Sequence, residues 1–298
     1  MSGALASFAA EVGAEGPVAV EGGRTAWDVG GPPAGGVRLV SAPAGVVEHV
    51  PAEMTVRVGA GTAVTALHDV LADAGQTTLL PDGPGATVGG ALAVGQDGIG
   101  RLGRGRLRDA LLEARYVSAE GRLVKAGGPT VKNVSGYDLC RLVVGSLGTL
   151  GLLGEVVLRT RPVPPSSRWF AGPADPSAVR ARLHRPAAVL WDGATSWVWL
   201  EGHGVDVEAE GRVLAELGIE PVEGPPPLPA HRHAGGDATP ADGARYVAEV
   251  GTGVVHRDDP PVVPEPPGPV AALHRRVKQA LDPAGRLNPG RDPLRVVA

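Results

Sequence analysis

Three glycine clusters, each set against a run of β-branched or leucine-rich sequence, constrain this chain more than any other feature. "VEGGRTAW" (20–27) follows a short apolar run. "PDGPGATVGGALAVGQDGIGR" (81–101) follows an amphipathic pattern. "VKNVSGYDLCRLVVGSLGTLGLLGEVVLR" (131–159) reads as a helix and a strand interrupted by Gly136, Gly145, Gly148, Gly151 and Gly154. Glycine lacks a Cβ, so its backbone can enter positive φ and pass close to other backbone or to a ligand. In a chain with 45 glycines and 29 prolines a single cluster says little, because isolated glycine motifs arise from composition alone. The order of the three is the informative part.

The elements around them follow from hydrophobic spacing. Strands are expected at 16–20, 37–40, 45–50 and 54–59, each a β-branched run bounded by Gly or Pro. Val64, Leu67, Leu71 and Ala74 predict a helix with Thr62 or Thr65 as N-cap and Gly75 as its stop. A Pro/Gly loop, a short helix of small residues and a Gly/Arg loop then lead to strands at Leu111–Ser118 and Gly121–Ala126. "RPVPPSSR" (161–168) marks a domain boundary. Beyond it lie two strands carrying Trp191, Trp197 and Trp199 as expected sheet core, and a helix over 206–219. Pro-rich loops are expected at 220–243 and 257–269, then a helix over 269–282 and the turn "PAGRLNPGR" (283–291).

At 298 residues and 43% hydrophobic content the chain can bury a substantial core. A net charge of −4 leaves no basic excess for nucleic acid or acidic membranes, so the expected partner is a small molecule or a protein. The N-terminus has no basic leader region, and no run reaches the roughly 18 apolar residues of a membrane span, so a cytoplasmic location is expected. The single Cys140 can form neither an internal disulfide nor an iron–sulfur cluster.

The ordered clusters resemble the flavin-binding domain of the vanillyl-alcohol-oxidase-like superfamily, the PCMH-type FAD domain. The third run is most similar to the FAD-binding subunit of bacterial glycolate oxidase. The resemblance covers 17–161 and returns at "DPAGRLNPGR" (282–291). It implies an α+β fold: a PCMH-type FAD-binding domain of two α/β subdomains over 1–165, a small α+β cap domain over 166–268, and a C-terminal helix and tail, 269–298, returning to the FAD domain. A loop can hold a pyrophosphate closely only where backbone N–H groups converge without Cβ atoms in the way. The resemblance assigns that task first to Gly22, Gly23, Arg24 and Thr25. It assigns it next to Pro81, Thr87, Val88, Gly89 and Gly90, entering a helix whose N-terminus faces the phosphates. Ala91, Ala93 and Gly95 are small enough to lie against the cofactor, and Gly98 continues the motif. The third group is Gly136, Tyr137, Gly145, Gly148, Thr149 and Gly151, with backbone contacts to adenine from Glu155 and Val156. Tyr137 also reads as an ordinary half-buried ring, and Arg108 with Asp109 as a surface ion pair. Arg24 and Thr25 stand where some relatives carry a flavin-linked histidine, which implies non-covalent FAD.

The resemblance implies the FAD-binding subunit of a glycolate-oxidase-like 2-hydroxy-acid dehydrogenase, partnered by a second flavoprotein and an iron–sulfur subunit. An alternative is a stand-alone FAD-dependent oxidoreductase acting on another alcohol or hydroxy acid, and a third reading is a flavin domain kept as a binding scaffold. The metal-binding HxGDGN pattern of the catalytic dehydrogenases is absent, and His203, His231 and His233 read as solvated, so no metal is expected. Oxidation of a 2-hydroxy acid needs a base at the hydroxyl and a cation for the carboxylate. Arg101, Arg104, Arg245, Tyr246 and His256 are the unranked candidates, and surface placement accounts for each equally well.

Overall fold

A computed structural model of the chain describes residues 3–128, 138–234, 243–261 and 265–296. In chain order its elements are α1 (Gly3–Val12), β1 (Val18–Val20), β2 (Arg38–Val40), β3 (Val46–Val50), β4 (Thr55–Gly59), α2 (Val64–Ala72), β5 (Gln76–Thr77), α3 (Val88–Val94), α4 (Arg101–Arg104), β6 (Leu111–Val117) and β7 (Leu123–Gly127). There follow α5 (Leu139–Val143), β8 (Leu152–Arg159), β9 (Arg161–Pro162), β10 (Ser166–Gly172), α6 (Pro176–Arg182), β11 (Ala188–Trp191), β12 (Ser196–Gly202), α7 (Gly204–Ala215), β13 (Glu220–Val222), β14 (His231–Ala234), β15 (Tyr246–Glu249), β16 (Val254–Arg257) and α8 (Gly268–Leu281). They fall into two compact units. The first comprises Met1–Gln96, Leu107–Pro162 and Pro264–Val296, the second Asp97–Arg106, Val163–Val263 and Val297–Ala298.

The first unit is built on an antiparallel five-stranded sheet, β3-β4-β8-β6-β7. Strand residues alternate between faces. Val56, Val58, Ala114, Tyr116, Val156 and Leu158 point into the main core, where they meet Val64, Leu67 and Leu71 of α2 and Val88 and Leu92 of α3. Each fully buried leucine contributes roughly 2 kcal/mol of transfer free energy. Their neighbours Arg57, Glu113, Arg115 and Glu155 alternate onto the other face and form a buried ion network. Glu113 pairs with Arg57 at 2.8 Å, Arg115 at 3.0 Å and Lys125 at 3.2 Å. Glu155 pairs with Arg57 at 3.2 Å and Arg115 at 2.9 Å. The expected threonine cap of α2 is not used: Ala63 is the N-cap and makes no side-chain bond. The Thr62 hydroxyl instead donates to Gly59 O and accepts from Gly45 N–H, tying β4 to the loop before β3. The N-terminal segment forms α1, which the sequence reading did not anticipate; Leu5, Phe8 and Val12 lie on one face of it and are buried.

The second unit is an antiparallel seven-stranded sheet, β13-β10-β12-β11-β15-β16-β14. Helices α6 and α7 bury Val179, Leu183, Val207 and Leu214 against its Phe170, Val189, Val198 and Leu200. Two expectations change here. The Pro-rich segment at 220–243 contributes both edge strands, β13 and β14, and Pro221 is accommodated because an edge strand can spare an N–H. The tryptophans are half-buried rather than core: Trp169 and Trp199 stack with centroids 5.4 Å apart, and Trp197 Nε1–H donates to Asp192.

Candidate functional site

The "GRLNPGR" turn returns to the first unit beside β1 through a single parallel bridge, Val18 to Leu287. Val18 N–H donates to Arg286 O at 2.9 Å and Asn288 N–H to Val18 O at 2.8 Å. Arg286, 6% exposed, spends its guanidinium on the carbonyls of Val12, Glu15, Gly16 and Ala119. The buried Asp282 carboxylate accepts from the N–H groups of Arg286 and Leu287. Asn288, at φ +43°, accepts from Val20 N–H at 3.1 Å and donates to Leu147 O. One side chain therefore bridges the end of β1 and the third glycine cluster.

Two adjoining clefts open where these segments meet. Both are lined by Val20, Gly22, Thr87, Gly90, Ala93 and Asn288. The smaller adds chiefly small and apolar residues, among them Ala42, Ala60, Gly61 and Leu153. The larger adds Arg24, Thr25, Trp27, Pro81, Gln96 and Arg291.

Of the expected cofactor residues, Gly22, Gly23, Arg24, Thr25, Pro81, Thr87, Gly89, Gly90, Ala93, Gly148 and Gly151 line these clefts. The others are placed elsewhere. Val88 and Val156 are core residues. Gly95, at φ +69°, caps α3 and packs on Gly145, whose N–H donates to Leu92 O. The buried Thr149 hydroxyl donates to Ser146 O, Glu155 belongs to the ion network, and Gly98 lies in the second unit. Gly136 and Tyr137 fall outside the described residues. Sequence reasoning missed Trp27, Asn288 and Arg291; the tail was marked by its resemblance, but nothing local tells which of its side chains reach the cleft.

The donors are also distributed differently from the expectation. The N–H groups of Val88, Gly89 and Gly90 at the start of α3 are taken by Thr62 O at 2.9 Å, Ala60 O at 2.7 Å and Thr87 Oγ1 at 3.2 Å. In the first loop, by contrast, the N–H groups of Gly22, Gly23, Arg24 and Thr25 meet no acceptor among the described residues. Several glycines serve contact between loops: a Cβ at Gly23 would overlap Gly85 O, one at Gly151 the Tyr116 ring, and one at Gly89 would stand 2.8 Å from Ala60 Cβ. A bare backbone with free N–H groups, flanked by Arg24 and Arg291, suits the diphosphate of an extended dinucleotide, so the residues present fit FAD.

The catalytic candidates all lie in the second unit. Arg101 pairs with Asp97 at 3.3 Å, and Asp97 O accepts from Arg232 at 2.6 Å. Arg232 lies 3.6 Å from Glu249, which bonds His256 Nε2 at 2.9 Å, so Arg101 and His256 belong to one polar chain. Arg104 is held apart by Glu201 and stacks 4.1 Å from the Trp199 ring centroid. Arg245 is exposed near Asp258, and Tyr246 is buried beside Ala248 and Val255. His233 is not simply solvated, since its Nε2 bonds Asp259 O at 2.9 Å. Among the described residues no three His, Cys, Asp or Glu side chains cluster to hold a metal ion, and no helix is long and apolar enough to cross a membrane.

Residues 4–127 match the family described as an FAD binding domain. The clefts above are walled by this matched segment together with the third glycine cluster and the tail. The chain is 35% identical over 156 residues to glycolate oxidase subunit GlcE of Escherichia coli, covering 51% of this chain and 44% of that protein. It is 35% identical over 150 residues to a D-lactate dehydrogenase of Archaeoglobus fulgidus, covering 49% and 33%. It is 37% identical over 83 residues to glycolate oxidase subunit GlcD of Bacillus subtilis, covering 28% and 18%. The match thus spans less than half the length of these relatives. In fold the chain is similar to a solved alkyldihydroxyacetonephosphate synthase, with a TM-score of 0.67 at 14% identity over 96% of this chain and 74% of that one.

Proposed function

We propose that the chain binds FAD non-covalently in the adjoining clefts and works as the FAD-binding subunit of a glycolate-oxidase-like dehydrogenase of 2-hydroxy acids. In this reading residues 1–165 and 269–298 form the flavin domain and 166–268 the cap. The observation that carries it is the cleft itself, continuous from the first glycine loop through Thr87, Gly90 and Ala93 to Gly148 and Asn288. Bound FAD would supply the two-electron acceptor for the α-hydrogen of the hydroxy acid. The chain's own residues bind and orient it: free N–H groups at 22–25 meet phosphate, and small side chains at 42, 60 and 93 leave room for flat rings. Among the described lining residues there is no His, Cys or Tyr to form a covalent flavin bond, which supports a dissociable cofactor. Two of the relatives are named as glycolate oxidase subunits, which supports a partnered enzyme; the proposed partners are a second flavoprotein and an iron–sulfur protein.

The test begins with purified chain, FAD and a visible spectrum. Uptake of FAD that is released into solution on denaturation is expected, and a folded chain that stays colourless overturns the reading. Turnover of a panel of 2-hydroxy acids with an artificial acceptor then separates a subunit, silent alone and active with co-expressed partners, from a stand-alone oxidoreductase.

A further inference from the structure

Helix α8 is 14 residues long, yet none of its residues is buried. A helix of that length is marginal in water by itself, because helices in proteins draw most of their stability from packing an apolar face. Such a face exists here: Val270, Leu273, Val277 and Leu281 recur at intervals of three and four and form one stripe. Val270 is 48% exposed and Leu273 60%, while Val277 and Leu281 are half-buried. The helix is fastened only near its C-terminal end. Among the described residues Lys278 carries its side-chain hydrogen bonds, to Thr149 O at 2.7 Å and to the Asp282 carboxylate at 2.5 Å. The first unit therefore holds α8 in place and leaves its N-terminal apolar half uncovered.

Charge indicates what covers it. The helix carries Arg275, Arg276 and Lys278 and no Asp or Glu. Lys278 is neutralised by Asp282, whereas Arg275 and Arg276 are exposed and have no carboxylate partner among the described residues. Arg276 lies three residues from Leu273 and so borders the stripe, while Arg275 lies across the helix from Val277. A second copy laid on this face would bring unpaired arginines together, which is unfavourable. A segment with an apolar stripe and an acidic flank would bury the first feature and pair the second.

We propose that α8 is the docking face for a partner subunit, which lays an amphipathic helix with an acidic flank along Val270, Leu273 and Val277 and sets a carboxylate against Arg276. The inference rests on the reading of the chain as one subunit of a larger enzyme, and adds where the partner docks and by what chemistry. Burial of the stripe supplies affinity and the arginine supplies selection.

The experiment co-expresses the tagged full chain with the second flavoprotein and the iron–sulfur protein, as wild type, L273E, R276E and R275E, and quantifies the partner recovered. The substituted positions are exposed, so each variant should fold; thermal unfolding and FAD content of each chain alone check this. Expected is recovery lowered about tenfold or more in L273E and R276E and within about threefold of wild type in R275E. The wild-type complex should loosen about tenfold between roughly 50 and 500 mM NaCl, as screening weakens the charge pairing. Amide hydrogen exchange along α8, fast in the isolated chain, should slow about tenfold or more in the complex. Recovery by L273E and R276E equal to wild type overturns the docking face, as does unchanged exchange along α8, and salt-insensitive assembly overturns the acidic flank. Sedimentation should find the chain alone monomeric; a dimer that L273E dissociates assigns the face to a second copy and overturns the proposal. A wild type that recovers neither partner overturns the subunit reading itself, whatever the variants do.

Discussion

Gly90 is the residue at which room for a ligand can be tested with least damage to the fold. It lies within the short helix α3 and lines both clefts, and a Cβ there would stand 2.9 Å from Thr87 Oγ1, the group that caps α3, and close to no other side chain or loop. Gly90→Leu should therefore fold, with an unfolding midpoint within a few degrees of wild type, yet bind FAD at least about 100-fold more weakly; fluorescence titration measures it. Gly89 would be a poor probe, because its Cβ would press on Ala60 and disturb the core whether or not a ligand binds. Asn288 makes the complementary case. Removing its amide leaves Val20 N–H and Leu147 O unpaired, so Asn288→Ala should cost about 2 kcal/mol in urea unfolding and weaken FAD binding as well. At this scale the glycine pattern was readable while its division of labour was not, since whether a missing Cβ faces a ligand or another loop depends on what the fold brings opposite.

The central sheet carries the main pH dependence expected of the first unit. Burial alone would raise the Glu113 pKa, but hydrogen bonds and charge from Arg57 and Lys125 outweigh it and hold the carboxyl below its usual value. Arg115 and Glu155 complete its surroundings. A depressed carboxylate stabilises the fold fully above its unfolded pKa, near 4.3, and loses that contribution as pH falls through the lower folded value. Stability measured by urea unfolding should therefore be level near neutrality and fall below about pH 4. Glu113→Gln should lose about 1–3 kcal/mol at pH 7 and flatten that acid limb, because the part-buried Arg57 and Arg115 lose their charged partner. Elements with strong local patterns were legible: β3, β4, α2, β6, β8 and α7 lie close to where periodicity put them. The edge strands β13 and β14 were not, since a short polar or proline-bearing segment becomes a strand only when a neighbour supplies the register.

For the molecule as a whole, the two ends of the chain close the first unit. Arg286 joins the tail to α1, the loop after it and the turn after β6. Arg286→Ala should destabilise the first unit by about 3–5 kcal/mol in urea unfolding and lower FAD affinity in parallel, since it frees Asn288 and Arg291 together. The sequence by itself determined that three glycine loops stand in a flavin-domain order between recognisable strands and helices, because turn chemistry and apolar periodicity are properties of neighbouring residues. Only the tertiary structure decided that the start of α3 spends its donors within the protein, that the first loop keeps its own free, and that Asn288 and Arg291 complete the cleft. Those outcomes rest on contacts such as Val20 to Asn288, 268 positions apart, and local propensity carries no information about which distant groups the packed core will bring within a hydrogen bond's length.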